Sequence, residues 1–471
     1  LLVRLAPGDL ATVAIEWLGH WAMRLLLVAV HVGALAVGGY LGVAVGAARS
    51  PILRLRRALA FAAGLFLAAL LLSLATAGGA SPLSPVVYAL GGLAFALAAS
   101  RPRLTHPPVL IPGGAPTPRD DVRRSRRRFL GRALGVTGGL VLAGAGGARL
   151  LGSKRQPPVP IAPADRPWSA PAGDPGFPSV AGLSPEITPT EDFYTVDINF
   201  IKPAVDHQTW HLDIGGLFQR PHRLTFESLQ NDFEVVEMAH TLVCISNKVG
   251  GELISTAVWR GVRLRDVLEQ AGLKEGVVDI VFRAADGYSD SIPLAKALEE
   301  TTLVVFGMNG QALPRKHGFP ARIIVPGIYG MKNVKWLTSI EAVDHDYRGY
   351  WMVRGWSDIA KVKTQSRIDT PRRGSVVSLP AAAGVAWAGD RRISGVEVSS
   401  DGGRSWRPAL LKRELSPVSW RLWAAELEPG RGRRRLVVRA TDGLGETQES
   451  GPTRPHPEGA SGWHSVPVEV E

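Results

Sequence analysis

Residues 240–268 read HTLVCISNKVGGELISTAVWRGVRLRDVL, and the place of Cys244 within them decides how the chain is understood. The residues leading into it, VVEMAHTLVC, have the apolar run of a strand, whereas ISNKVGGE after it is a polar, glycine-containing loop. Cys244 is the single cysteine of the chain, which excludes an internal disulfide and a four-ligand zinc site with the usual Cys spacing. Free cysteines often pack as small hydrophobes. A cysteine that closes a strand and opens a polar loop instead projects toward a cleft, where its thiolate is a soft ligand for a transition metal.

Working outward, TWHLDIGG, DIVFRAA, TTLVVFGMNG and ARIIVPGIYG read as further strands, and RLTFESLQ, LRDVLEQAG and LAKALEE as short helices. The region 190–369 is therefore expected to be a mixed α+β domain. Beyond it, 370–471 carries GVAWAG, ISGVEVSSDGGRSWRPALL, SWRLWAAELEPG and RRRLVVRATDGLGE, where apolar and polar residues alternate between D-G and P-G turns. That is the pattern of a small antiparallel, immunoglobulin-like β-sandwich. With 471 residues the chain has room for about three domains at ~150 residues each.

Three segments carry a family resemblance: residues 240–268, then MNGQALPRKHGFPARIIVPGIYGMKNVKWL (308–337), then DYRGYW (346–351). Together they resemble the molybdopterin-dependent oxidoreductases of the sulfite oxidase family, from about Phe193 to the end, with the last hundred residues similar to that family's dimerisation domain. The resemblance implies that Cys244 ligates molybdenum and that His317 and Arg322 hold the pterin cofactor. It also places Asn333, Val334 and Lys335 as a clasp on the cofactor, with Asp286, Tyr194 and Thr195 as looser matches. Tyr347 matches the family's active-site tyrosine. Charged and planar donors suit an anionic phosphate and a pterin edge. Trp336, Trp351 and Trp356 read as core or interface aromatics. One departure bears on substrate: Lys248-Val249, Val196 and Asp197 stand where the family places arginines, so a dianion such as sulfite would lack paired guanidinium donors.

Residues 1–152 are expected to be a membrane domain. The stretches 25–47, 58–77 and 83–100 lack Asp, Glu, Lys and Arg and are long enough to cross a hydrocarbon core of ~30 Å as helices. Arg49, Arg54, Arg56 and Arg57 place the first loop in the cytoplasm, and the arginines from Arg101 to Arg128 place the exit of the third span there too. SRRRFLGRALGVTGGLVLAGAGGARLLG (125–152) then resembles a twin-arginine export segment retained as a fourth helix, with a basic loop before an ordinary fourth span as the alternative. Either way the later domains lie outside the cytoplasm. Residues 153–189 are rich in proline and are expected to be a semi-rigid tether. His20 and His31 invite a haem reading, but the second and third spans contain no histidine and one cysteine excludes a CxxCH haem, so haem is not expected.

The charge distribution excludes a nucleic-acid protein. Residues 1–155 hold 18 basic and 4 acidic side chains, and the remaining 316 hold 36 and 38, so the basic excess sits beside the apolar runs. The expectation is a membrane-anchored, extracytoplasmic molybdoenzyme of α+β and β-sandwich architecture that transfers an oxygen atom on a small S-oxide, N-oxide or sulfite-like substrate. Its electrons would pass through a quinone, a haem protein or a soluble carrier, and the last domain implies a homodimer. The alternative is a tethered binding or scaffold module with the same fold.

Overall fold

The computed structural model describes residues 159–471, apart from positions 172, 175, 200–201, 378–380 and 428–429. Among these residues no helix is long and apolar enough to cross a membrane. The three expected spans and the twin-arginine segment lie outside the described residues.

The first half of this region runs β1 (His211–Gly216), β2 (His222–Thr225), α1 (Phe226–Asn231), β3 (Val235–Val243), β4 (Ile254–Arg263), α2 (Leu264–Ala271), β5 (Asp279–Ala284) and β6 (Ser289–Pro293). It continues with α3 (Leu294–Ala297), β7 (Leu303–Met308), β8 (Gln311–Ala312), β9 (Arg322–Ile324) and β10 (Leu337–Val343). Two sheets result, one ordered β2-β1-β10-β5-β6 and the other β3-β4-β7-β8 with β9 paired to β7. Helix α2 forms because Leu264, Val267, Leu268 and Ala271 fall on one buried face at helical spacing, and it stops at Gly272, whose φ of 73° suits glycine.

Several expectations shift at their edges. RLTFESLQ is not wholly helical: His222–Thr225 pairs with β1, and the helix starts at Phe226 because Thr225 and Ser228 cap it reciprocally. In ARIIVPGIYG only Arg322–Ile324 is strand. ISTAVWRGVR, which carries a less regular apolar pattern, is the ten-residue strand β4 and pairs with β3 along the whole of that strand.

The second half contains β11 (Gln365–Thr370), β12 (Val376–Val377), β13 (Ala381–Trp387), β14 (Ile393–Ser399), β15 (Arg407–Pro408), β16 (Leu410–Leu411), β17 (Arg421–Glu426), β18 (Gly432–Asp442) and β19 (His464–Val470). These make two sheets, β11-β13-β17-β16 and β12-β19-β18-β14-β15, which share a core of Ile368, Trp423, Leu436, Val438 and Val466 among others. The sandwich is as expected, but it begins before residue 370, since β11 is hydrogen-bonded to β13.

A second apolar cluster joins the halves. Val243, Ile245, Tyr329, Met352 and Trp356 from the first pack with Val385, Trp387, Val418, Trp420 and Leu422 from the second. The described part of the proline-rich segment is also no free tether. It has no helix or strand, yet Asp165 and Arg166 donate to Val235 O, and Trp168 Nε1 donates to Leu415 O. Proline-rich backbone has few amides, and here two of them find a partner on the first domain while the Trp168 indole finds one on the second.

Candidate active site

Strand β3 delivers Cys244 to the wall of a cleft of about 920 Å³, its mouth included. The loop after it is tied down by its own backbone: Cys244 N donates to Leu253 O (3.0 Å), and Asn247 N donates to Cys244 O (2.9 Å). Asn247 Oδ1 accepts from Leu253 N at 3.0 Å, and Arg367 of the sandwich donates to Gly251 O at 2.9 Å. The Cys244 thiol is thus held on a braced loop, 3.0 Å from Ser246 Oγ. Burial pushes this thiol up, while the Ser246 hydrogen bond and the Lys335 charge oppose that rise.

Around Cys244 the structure gathers Tyr194, Thr195, Asp286, His317, Arg322, Asn333, Val334 and Lys335, all of which line the cleft. His317 closes a short 3-10 turn, with Nε2 3.1 Å from Thr190 O; burial, helped by the Arg322 charge, lowers it to about 3, so the ring is neutral. Arg322 on β9 is 4% exposed and donates from Nη1 to His317 O and from Nη2 to Asn333 O, both at 3.1 Å. Its guanidinium lies over the Trp259 ring, and burial lowers it to about 10. Nε is buried without a hydrogen-bond partner. A charged donor left over in this way, on the wall of a cleft, is costly for the protein alone and suits an anionic or acceptor-rich guest.

Asn333 acts through the loop as well as through the cleft: its Oδ1 accepts from Val325 N at 2.7 Å and its Nδ2 donates to Tyr329 O. Lys335 Nζ donates to Val196 O and pairs with the Asp197 carboxylate, and burial lowers its pKa. Asp286 Oδ1 accepts from Tyr288 N at 2.9 Å, and burial raises this carboxyl. Burial raises the Tyr194 phenol well above its usual range, with Cys244 contributing. A Cβ on Gly330 would stand 2.7 Å from Tyr194 Oη, so the cleft keeps its width there only because residue 330 has no side chain.

Tyr347 is the exception among the expected residues. It does not line the cleft; its phenol lies 2.9 Å from Ser289 Oγ, and Arg283 stacks on its ring. Strand alternation explains this. Ser289 and Ser291 point to one side of β6 and hold Tyr347, whereas Tyr288 and Asp290 point to the other. Besides Tyr194, the tyrosine at the cleft is Tyr288, which was not among the expected residues; its signal was a lone aromatic just after the D-G turn between β5 and β6. Ser246 was missed too. Trp336, Trp351 and Trp356, read as core or interface residues, line the cleft, and Trp356 also belongs to the interdomain core.

Residues 199–351 match the family described as oxidoreductase molybdopterin binding domain, and residues 357–470 match Mo-co oxidoreductase dimerisation domain. The chain carries a sulfite oxidase-like molybdopterin domain. That domain and its dimerisation partner account for the two halves of the fold. Mitochondrial sulfite oxidase of Homo sapiens is 34% identical over 307 residues, covering 54% of this chain and 56% of that protein. Sulfite oxidase of Gallus gallus is 31% identical, covering 54% and 66% respectively. A nitrate reductase of Hordeum vulgare is 30% identical, covering 52% and 35%. The chain thus spans about half the length of the curated relatives it matches. The crystal structure of the sulfane dehydrogenase SoxCD from Paracoccus pantotrophus superposes with a TM-score of 0.53 at 23% identity, covering 64% of this chain and 90% of that one, a likeness of fold. The start of the dimerisation match at 357 agrees with β11 lying inside the sandwich.

Proposed function

We propose that the chain is a molybdopterin-dependent oxidoreductase, anchored in the cell membrane with its catalytic domain on the extracytoplasmic side, that moves an oxygen atom to or from a small substrate. The observation that carries this reading is the convergence of Cys244, His317, Arg322 and Lys335 on one cleft inside the molybdopterin domain. The residues present fit the cofactor: a thiol on a braced loop for the metal, and a buried guanidinium with a spare donor for the anionic, acceptor-rich pterin.

In this reading Cys244 ligates molybdenum, and Arg322, His317, Asn333, Val334 and Lys335 hold the pterin, with Tyr194, Thr195 and Asp286 closing the pocket. The bound cofactor supplies two-electron oxygen-atom exchange. The protein holds the thiol in place through Leu253 and Asn247. It keeps the His317 ring neutral, so that it can meet the cofactor without adding charge. It also lines the cleft with the apolar side chains of Trp351, Trp356 and Met331.

The wall chemistry favours a neutral S-oxide or N-oxide over sulfite. The cationic side chains lining the cleft are Arg322, which already serves two carbonyls, and Lys335, which is paired with Asp197. Neither provides the bidentate pair that offsets desolvation of a dianion. Electrons pass to or from a separate quinone, haem protein or soluble carrier. The dimerisation domain supports a homodimer, and the uncharged runs with their flanking arginines support the membrane anchor.

Molybdenum and pterin analysis of protein purified from a cofactor-producing host tests the reading, together with a turnover screen of sulfite, methionine sulfoxide, dimethyl sulfoxide and nitrate using artificial electron donors and acceptors. Near-stoichiometric molybdenum with turnover of an S- or N-oxide is expected. Trace metal in loaded host material would favour a binding or scaffold module instead. A reporter fused after residue 155 should report from the extracytoplasmic side, and a cytoplasmic signal would overturn the topology.

A further inference from the structure

Behind the cleft wall lies a row of ionisable groups that takes no part in holding the cofactor. Tyr288, which lines the cleft, donates from Oη to Asp290 Oδ2 at 2.9 Å. Asp290 is 0% exposed, and its Oδ1 lies 3.2 Å from Lys332 Nζ, itself on a side chain only 2% exposed. Lys332 Nζ lies 3.3 Å from Asp358 Oδ1, and the Asp358 side chain is 36% exposed. Each step is within hydrogen-bond reach, one end is at the cleft and the other at the solvent. Next to Asp358 stands Asp346, whose carboxyl that neighbouring charge pushes up.

We propose that Tyr288, Asp290, Lys332 and Asp358 conduct protons between the cleft and the solvent. The proposal rests on the oxygen-atom-transfer reading, because that chemistry requires it. Removing an oxygen atom as water consumes two protons and two electrons, and inserting one from water releases the same. The electrons come from or go to an external quinone or haem-type carrier, while the protons must cross the protein wall.

The geometry accommodates both charge states of Asp290. When it is ionised, Tyr288 donates to it. When it is protonated, it donates to Tyr288 Oη, and the phenol turns to Met331 O, an acceptor 2.8 Å away. An outward proton enters at Tyr288 as the phenol's own proton passes to Asp290 Oδ2. Lys332 gives a proton to Asp358, then takes one from Asp290 once carboxyl rotation has exchanged the two oxygens. The inward path is the reverse. Burial supports the assignment by raising Asp290 to about 6, close to the range in which a carboxyl takes up and gives back protons. A purely structural buried ion pair would need neither the cleft-facing phenol nor the exposed carboxylate.

The test compares the molybdenum-loaded wild type with Asp290→Asn and with the Asp346→Asn/Asp358→Asn double variant at the exposed end, using a reduced viologen donor and an S-oxide. The expected result is unchanged molybdenum content and KM, kcat reduced about 10²-fold for Asp290→Asn, and a larger solvent deuterium isotope effect than in wild type. The double variant should show the same isotope signature with a smaller loss, and it remains informative if Asp290→Asn does not fold. In cofactor-free protein, infrared titration should show a buried carboxyl band near pH 6 that Asp290→Asn lacks. Wild-type kcat and isotope effect in both loaded variants, or no such band, overturn the conduit alone. A wild type that loads no molybdenum overturns the functional reading, and the conduit with it.

Discussion

The backbone amide of Trp420 in the sandwich donates a 2.7 Å hydrogen bond to Thr241 Oγ1, three residues before Cys244. Thr241 N in turn donates to Val418 O, and Ser416 Oγ donates to Ala239 O. The C-terminal domain therefore braces the strand that carries the cysteine, in addition to any part it plays in dimerisation.

Thr241→Val keeps the shape of the side chain and removes that acceptor, leaving the buried Trp420 amide unpaired and taking the hydrogen bond between the Thr241 and Thr256 hydroxyls with it. The cost should be about 1–3 kcal/mol. Denaturant melts should show the loss, and molybdenum content should fall with it because the cysteine strand loosens. An unchanged midpoint would mean that this hydrogen bond contributes nothing to holding the domains together.

Cys244→Ser should abolish turnover and leave the fold intact, since the side chain is small and its loop is tied by backbone bonds and by Asn247. Circular dichroism and a melting temperature within a few degrees of wild type should accompany the loss of activity. Retained activity would refute the metal-ligand assignment.

Gly330→Ala should impair cofactor retention, because the added Cβ would stand 2.7 Å from Tyr194 Oη and drive the phenol across the cleft. Overpacking of this kind costs about 1–3 kcal/mol. Pterin released on denaturation, measured by fluorescence, should drop sharply relative to wild type, and Tyr194→Phe in the same background should restore part of it.

Acid should destabilise the cofactor-free protein through its buried histidines. His240, both of whose ring nitrogens lack partners, is lowered to about 3 by burial, and His317 is lowered to about 3 as well. Each folded pKa is depressed below the unfolded value of about 6.5, so the unfolded chain binds the proton first. The contribution is complete above pH ~6.5 and is lost as pH falls toward 3, at up to about 1.4 kcal/mol per pH unit for each histidine. Asp290, raised to about 6, acts with the opposite sign between pH 6 and 4. Comparing urea midpoints of wild type and His240→Leu from pH 7 to 4 isolates one histidine: the variant should lose one proton's worth of slope, and parallel curves would refute this.

Much of this organisation is legible along the chain. Cys244 closing an apolar run, HGFPAR and NVKWL at their spacing, and the alternation between turns after residue 370 are local patterns of residue type, and local pattern is what sets strand, loop and helix. Nine of the expected site residues line one cleft, but apart from Cys244 they were legible only through the resemblance of their segments to the sulfite oxidase family: taken alone, His317 and Arg322 are polar residues at a turn before a strand. Tyr347 was misplaced and Tyr288 missed because the face a side chain takes depends on the register of β6 against β5. A one-residue change in register would exchange the two faces.

The sequence by itself determined most of the elements and the mixed and sandwich halves, because those follow from apolar period, while the candidate cofactor residues followed only from the resemblance of their motifs to the sulfite oxidase family. Only the tertiary structure decided that Tyr288 and not Tyr347 joins Tyr194 at the cleft, that β11 and the proline-rich strap belong to packed domains, and that Lys332 and Asp290 meet in the interior. Such outcomes depend on pairings between residues tens of positions apart, where burial and hydrogen-bond geometry select one partner from many that composition alone would allow.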